Sequence, residues 1–324
     1  MATRKAPSPK ASARRAAPSQ RAASSPHAPS SSTPSAPQIR WYAYPGTVAP
    51  GCTALPALPA EDACATLGAL RALAHATQRK PRADWYGLVG TEGWTQTGWN
   101  AATLANAVQE CAGAGEADVC FCQAPAEVEA LYHNPWLYAE HTHPHCGTLA
   151  RAVLDAAGLD GDSPDTVAHS ACFVSGHILI ARAAFWPRFV AFLDDVLAHA
   201  RAKLGKTARV ALFDETPPAD RTRYLDVLTT LLLIPFLEDA ANGLRACKLA
   251  LPSSEEPPPN PHVRMLRELK DMAVTQQSRW ATACWGNYRA LYLAHTQGAA
   301  WIAQHRAILH PPTLRMGHAP GRIR

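Results

Sequence analysis

From Ile39 onward, short apolar or aromatic runs alternate with longer segments of helical period. This alternation predicts a mainly parallel sheet with helices on its faces. The runs place strands at Arg40–Tyr44, Trp85–Val89, Val119–Cys122, Ala171–Ala181, Arg209–Phe213 and Ala246–Leu251. Helices are expected between them. Leu67, Leu70 and Leu73 at three-residue spacing mark Glu61–Ala76, and Asn100 is a good N-cap for a helix ending near Gly113. Thr148–Ala157 is closed by Gly158. In Phe185–Leu204 the stripe Phe189, Phe192, Leu193, Val196, Leu197 and Ala200 defines a core-facing helix, with Pro187 in its first turn. A further helix is expected over Ala219–Leu233, bent or ended at Pro235, and the Pro-rich "SSEEPPPNPH" then breaks the chain. Beyond it, His262–Ile308 reads as one or two helices, with Met265, Leu269, Met272, Trp280, Tyr288 and Leu291 as packing residues.

The expected organisation is a tail at 1–37, an α/β domain at 38–252, a connector at 253–261, a helical extension at 262–310 and a flexible terminus at 311–324. The tail is built from Ala, Ser and Pro with six Lys or Arg and no acid. It cannot bury enough apolar surface to offset its ordering entropy, so disorder is expected. Its composition also fits a transit peptide, but prolines break any amphipathic helix.

Charge changes the picture further. The net +5 comes from the tail, since the remainder holds 25 basic against 26 acidic residues. A near-neutral folded part argues against a specific nucleic-acid partner, which would need a basic face of its own. The longest apolar run, "VLTTLLLIPFL", is too short to span a bilayer, which leads to an expected cytoplasmic location. Nine irregularly spaced cysteines suit reduced, mostly buried thiols. The chain carries no P-loop, glycine-rich dinucleotide fingerprint or internal repeat.

One ordered set of segments is informative as a set: "RWYAYPG", "DACATLGALRAL", "ADWYGLVGTEGW", "ADVCFC", "LYAEHTHPHCGTLARAVL", "FVSGHILIARAAFWPRFVAFLDDVL" and "TRYLDVLTTLLL". Together they resemble a bacterial glycosyltransferase-like family associated with capsule or surface-polysaccharide synthesis. The resemblance covers about Gln38 to Pro252. It implies a GT-A-like nucleotide-diphospho-sugar transferase fold, a nucleotide-sugar donor and a glycan or lipid-linked acceptor. Three roles are open to the helices after Pro261: packing on the domain, a dimer contact, or peripheral contact with the inner face of a membrane where the acceptor lies. The chain departs from the family pattern at three places. "GTEGW" stands where the family has a His-Tyr-Arg-Arg-like run, Cys64-Ala65 stands for Cys-Glu, and "YLDVL" lacks the family's late-helix glutamate.

In an open sheet of this class, ligands collect beyond the carboxyl ends of strands. Glu92 falls just past Trp85–Val89, where a GT-A enzyme sets an Asp-x-Asp, and it is the candidate ligand for a Mn or Mg ion on the donor diphosphate. The alternative is an exposed turn acid. Trp94 and Trp99 are candidates for stacking on a sugar or base. Asp160-Gly161-Asp162 follows Gly158 and reads as turn chemistry, and Asp194 and Asp195 as a solvated face.

"EHTHPH" is the densest polar cluster. If extended, His141, His143 and His145 point to one side and form a candidate zinc site beside Cys146; if helical, the pattern breaks at Pro144. The resemblance instead assigns Tyr138 and His141 to the sugar site, with His141 as general base toward an acceptor hydroxyl or as a hydrogen-bond partner of the donor, and His143 as a further substrate contact. Ser175 and Gly176 allow close backbone approach, and His177 is either a core histidine or a group reaching into the cleft. The rival classes are a catalytically inactive binding protein and a zinc protein.

Overall fold

The computed structural model describes residues 38–44, 50–56, 64–79, 83–90, 100–113, 117–159, 164–214, 223–249, 260–310 and 315–317. The expected tail, the "GTEGW" loop with Glu92, Trp94 and Trp99, the Asp160-Gly161-Asp162 turn and most of the Pro-rich connector lie outside these residues. Ala36–Arg324 forms one compact unit.

Its centre is a six-stranded sheet in the order β2-β1-β3-β6-β4-β7, built from β1 (Ile39–Ala43), β2 (Thr53–Ala54), β3 (Trp85–Val89), β4 (Val119–Gln123), β6 (Val174–Arg182) and β7 (Ala246–Leu249). β1 pairs parallel with β2 and β3, and β4 parallel with β7, while β6 runs antiparallel to both β3 and β4. Five strands therefore point one way and one is reversed, which is a mainly parallel α/β sheet. Every residue of β3 is buried, as expected of a strand covered on both faces.

Strand alternation sorts the core into two layers. Tyr42, Tyr86, Leu88, Val119, Phe121 and Ala181 face a cluster filled by α1 (Ala65–Arg79), α5 (Cys146–Ala157), α6 (Phe185–Lys203), α7 (Tyr224–Leu231) and α8 (Leu233–Glu238). Trp41, Trp85, Val89, Cys120, Cys122, Ile178 and Ile180 face Leu104 and Val108 of α2 (Ala101–Gly113). Asn100 caps α2 as expected, accepting from the Thr103 N–H at 2.9 Å. Gly87 is required by close approach: a Cβ there would lie 2.2 Å from the Trp41 ring on the neighbouring strand.

A third cluster holds the C-terminal helices. α3 (Ala126–Leu131) gives Ala130 and Leu131 to Val263, Leu266 and Val274 of α9 (Pro261–Gln276) and to Trp285 and Leu293 of α10 (Arg279–Thr296). A short pair, β5 (Thr166–Val167) with β8 (Arg315–Met316), closes this end.

Several expectations are corrected. Arg209–Phe213 is helical: Lys206–Arg209 forms a turn that widens over Val210–Asp214. Only Leu212 of the latter stretch is buried, so no second face exists to hold a strand. Ala171–Ala181 begins as a 3-10 turn, Ser170–Cys172, in which the His169 ring accepts from the Ala171 N–H, and extended structure starts at Val174. The expected single or double C-terminal helix is four segments. Gln277 in the left-handed region and the Ser278 N-cap separate α9 from α10, and α11 (Gly298–Gln304) and α12 (Arg306–Leu309) follow. Cys111 and Cys247 form a disulfide joining α2 to β7, a pairing that the expectation of reduced thiols did not include. No helix among the described residues is long and apolar enough to cross a membrane.

Candidate functional site

The His-rich stretch folds as the end of one helix and the start of the next. Asn134 caps α4 (Pro135–Thr142): its Oδ1 accepts from the Leu137 N–H at 2.7 Å, and Pro135 takes the first helical position. Its Nδ2 donates to the Pro164 and Thr166 carbonyls, pinning α4 to the segment that leads into β5. Glu140 then turns back on the chain. Its carboxylate accepts from the His145 N–H and, at 2.6 Å, from the Gly147 N–H, capping α5.

This local structure separates the three histidines. His141 points toward α11 and α12, His143 packs edge-on against Tyr224 of α7 with ring centres 6.1 Å apart, and His145 sits exposed in a left-handed turn. The one-sided array needed for zinc requires extended backbone, and the backbone is helical through Thr142. Among the described residues no three His, Cys, Asp or Glu side chains converge on a metal position.

Tyr138 and His141, one turn apart on α4, do come together with groups from distant sequence. Phe173, the residue before β6, lies 6.5 Å from the Tyr138 ring centre, and Tyr138 packs edge-on to Tyr132 at 5.0 Å. Tyr132 is 6.1 Å from His141. His141 in turn lies 4.7 Å from His305 and 6.0 Å from Trp301, which stack on each other at 4.2 Å. The result is a row of rings. Because β6 is reversed, its first residues lie at the carboxyl ends of the other five strands, so the row starts at the edge where open α/β sheets bind ligands.

The row is polar as well as aromatic. His141 Nδ1 is enclosed and has no hydrogen-bond partner among the described residues. Burial, and then the neighbouring His305, hold the His141 pKa below its usual value, so the ring is neutral at pH 7. Burial pushes the Tyr132 phenol up to about 12, keeping it a hydrogen-bond donor. Tyr138 remains 37% exposed, which opens the row to solvent.

Beneath it lies a charged network that the sequence did not reveal. The fully buried Glu129 accepts from the Ala124 N–H just past β4 and from Lys248 of β7 at 2.5 Å, with Arg267 3.7 Å away. Lys270 of α9 donates to the Glu129 and Tyr132 carbonyls, and its ammonium stands 5.1 Å from the Phe173 ring centre. Asp271 accepts from both the Ser170 N–H and its hydroxyl. Burial raises the Glu129 pKa, and the three cations oppose that rise. The network fixes α9 to the edge that carries the row.

Ser175 and His177 lie in β6, ahead of the Ile178 that pairs with Val89, the last residue of β3. Their backbone is therefore at the expected edge; their side chains lie outside the described residues, as do Glu92, Trp94 and Trp99. Sequence reasoning missed Tyr132, Trp301 and His305, although Trp301 and His305 stand one helical turn apart, a spacing legible in "WIAQH". It also missed Asp226. This α7 carboxylate accepts from the Thr66 N–H at 2.7 Å and from the Cys64 thiol at 3.1 Å, so an acid does serve the start of α1. No family model, curated protein or solved structure matches the chain.

Proposed function

We propose that the protein is a GT-A-like glycosyltransferase, moving a sugar from a nucleotide-sugar donor to a glycan or lipid-linked acceptor at the cytoplasmic face of a membrane. The observation that carries this reading is the ring row at the carboxyl edge of the sheet, with the unbonded Nδ1 of His141 within it. Tyrosine and tryptophan faces stack on the C–H faces of sugars, and Tyr132, Tyr138 and Trp301 supply them. A neutral imidazole takes a proton from an acceptor hydroxyl at pH 7, and the lowered pKa keeps His141 in that form. The rest of the rate enhancement comes from positioning donor and acceptor on a rigid edge. A Mn or Mg ion on the donor diphosphate belongs to this reading with Glu92 as its ligand, and Ser175, His177 and Trp94 belong to its donor side.

A second reading, a sugar-binding protein without catalysis, is favoured by the separation of His143 from His141 and by the use of Glu140 as a helix cap. One experiment addresses both: a thermal-shift scan against nucleotide sugars and nucleoside diphosphates, with and without manganese. A donor at about a hundred times its Kd adds about 2.7 kcal/mol of stability. A shift with nucleoside diphosphate release supports the transferase, and a shift without release supports the binding protein. No shift with any donor rejects both.

A further inference from the structure

α10 is apolar on two opposite sides. Ala281, Trp285, Arg289 and Leu293 face inward and are buried. On the other side Trp280 is 71% exposed and Leu291 69% exposed, and the exposed Ala283 and Ala294 share their stripe of helical period, interrupted by the polar Asn287. Met265 and Met272, two turns apart on the adjoining α9, are 50% and 39% exposed. Of the six large hydrophobic side chains exposed among the described residues, four therefore lie on this one helical hairpin. A concentration of that kind marks an interaction surface.

Charge identifies the partner. The near-neutrality of the folded part is an average over two unlike regions. Residues 38–271 hold all 26 acids against 19 Lys or Arg, whereas residues 272–324 hold six Arg and no acid. Arg279, beside Trp280, is exposed, as are Arg306, Arg315 and His295. An exposed apolar stripe with a tryptophan and arginines, in an acid-free stretch, has the composition of a helix that lies in the plane of an anionic bilayer.

We infer that the outer face of α10 docks on an anionic lipid surface. Trp280 and Leu291 sit at the boundary between headgroups and acyl chains, and Arg279, beside Trp280, meets lipid phosphates and acidic headgroups. A second copy of the chain fits less well, because two α10 faces would bring Arg279 against Arg279 with no acid on α10 to pair them. A nucleic acid fits less well too, since Leu291, Met265 and Met272 have no stacking face to offer a base. The inference stands apart from the transferase reading and is tested without any sugar.

The test is co-sedimentation of the full chain with vesicles of phosphatidylcholine alone or mixed equally with phosphatidylglycerol. Binding is expected to the mixed vesicles and to weaken as salt is raised. Trp280→Ser with Leu291→Ser lowers that binding about tenfold or more, although the basic tail of residues 1–37 is retained. Both positions are exposed, so an unchanged melting temperature verifies the fold. Undiminished binding by the double variant overturns the inference, as does equal binding to both vesicle types. Pelleting with duplex RNA, or a dimer seen by light scattering, that the same double variant abolishes also overturns it.

Discussion

Replacing Gly87 with alanine probes the register that places β1 against β3. Trp41 and Gly87 are directly paired, and the Trp41 ring lies across the glycine, so the new methyl carbon would be 2.2 and 2.3 Å from two ring carbons. Carbon atoms pack at about 3.5–4.0 Å, so the shortfall exceeds about 1 Å and either ring or strand must move. Trp41 is only 7% exposed and belongs to the same cluster as Leu104, Val108, Ile178 and Ile180. Overpacking of a filled core costs about 1–3 kcal/mol, and complete expulsion of a buried tryptophan about 3–5 kcal/mol. Gly87→Ala should therefore cost about 2–4 kcal/mol in urea unfolding and lower Tm by several degrees. The cost belongs to one contact, so the double variant Gly87→Ala with Trp41→Val should cost in total at least about 1 kcal/mol less than the sum of the single changes. A Gly87→Ala protein within about 0.5 kcal/mol of the parent, or strict additivity, would refute the register and the packing with it.

Further outcomes follow from other parts of the structure. Burial first, and then Arg289, hold the His133 pKa well below its usual value, so the unfolded chain takes up a proton near pH 6.5 that the folded one refuses. Stability should fall as pH drops below about 6.5, by at most about 1.4 kcal/mol per pH unit for each such histidine, and His133→Gln should flatten the urea-unfolding profile by about one proton. Glu129→Gln leaves Lys248 buried without its carboxylate and should cost about 3 kcal/mol in the same assay; a loss under about 1 kcal/mol would show the network to be dispensable. His145 holds a φ of 70° with an exposed side chain, so His145→Gly should add up to about 1 kcal/mol of stability, read as a raised urea midpoint.

How much of this was legible depended on the range of the interactions. β1, β3 and β4 were readable because two-sided burial writes a continuous apolar run into each strand, and α2 and α6 because a cap or an apolar stripe is local. "RVALF" has the composition of a strand but lies where only Leu212 is fully buried, so burial overrode propensity. The His-rich stretch was read by side-chain chemistry, whereas its conformation is set by the Asn134 cap and by the reach of Glu140 to Gly147. The Glu129 network joins Glu129 to Lys248 and Lys270, each more than a hundred positions away, and no local pattern announces such pairs. Tyr138 and His141 were visible through the resemblance; the rings that complete their row arrive from helices whose breaks at Gln277 and Gly298 are backbone features with weak sequence marks.

The account centres on the row of rings as a sugar site with His141 as its base. The most direct test follows nucleoside diphosphate release from the donor found in the thermal-shift scan, comparing the parent with His141→Ala and Tyr138→Ala. The account predicts that His141→Ala lowers kcat by about a hundredfold or more with little change in KM, while Tyr138→Ala mainly raises KM. Full activity in His141→Ala, with folding intact in both proteins, would contradict it.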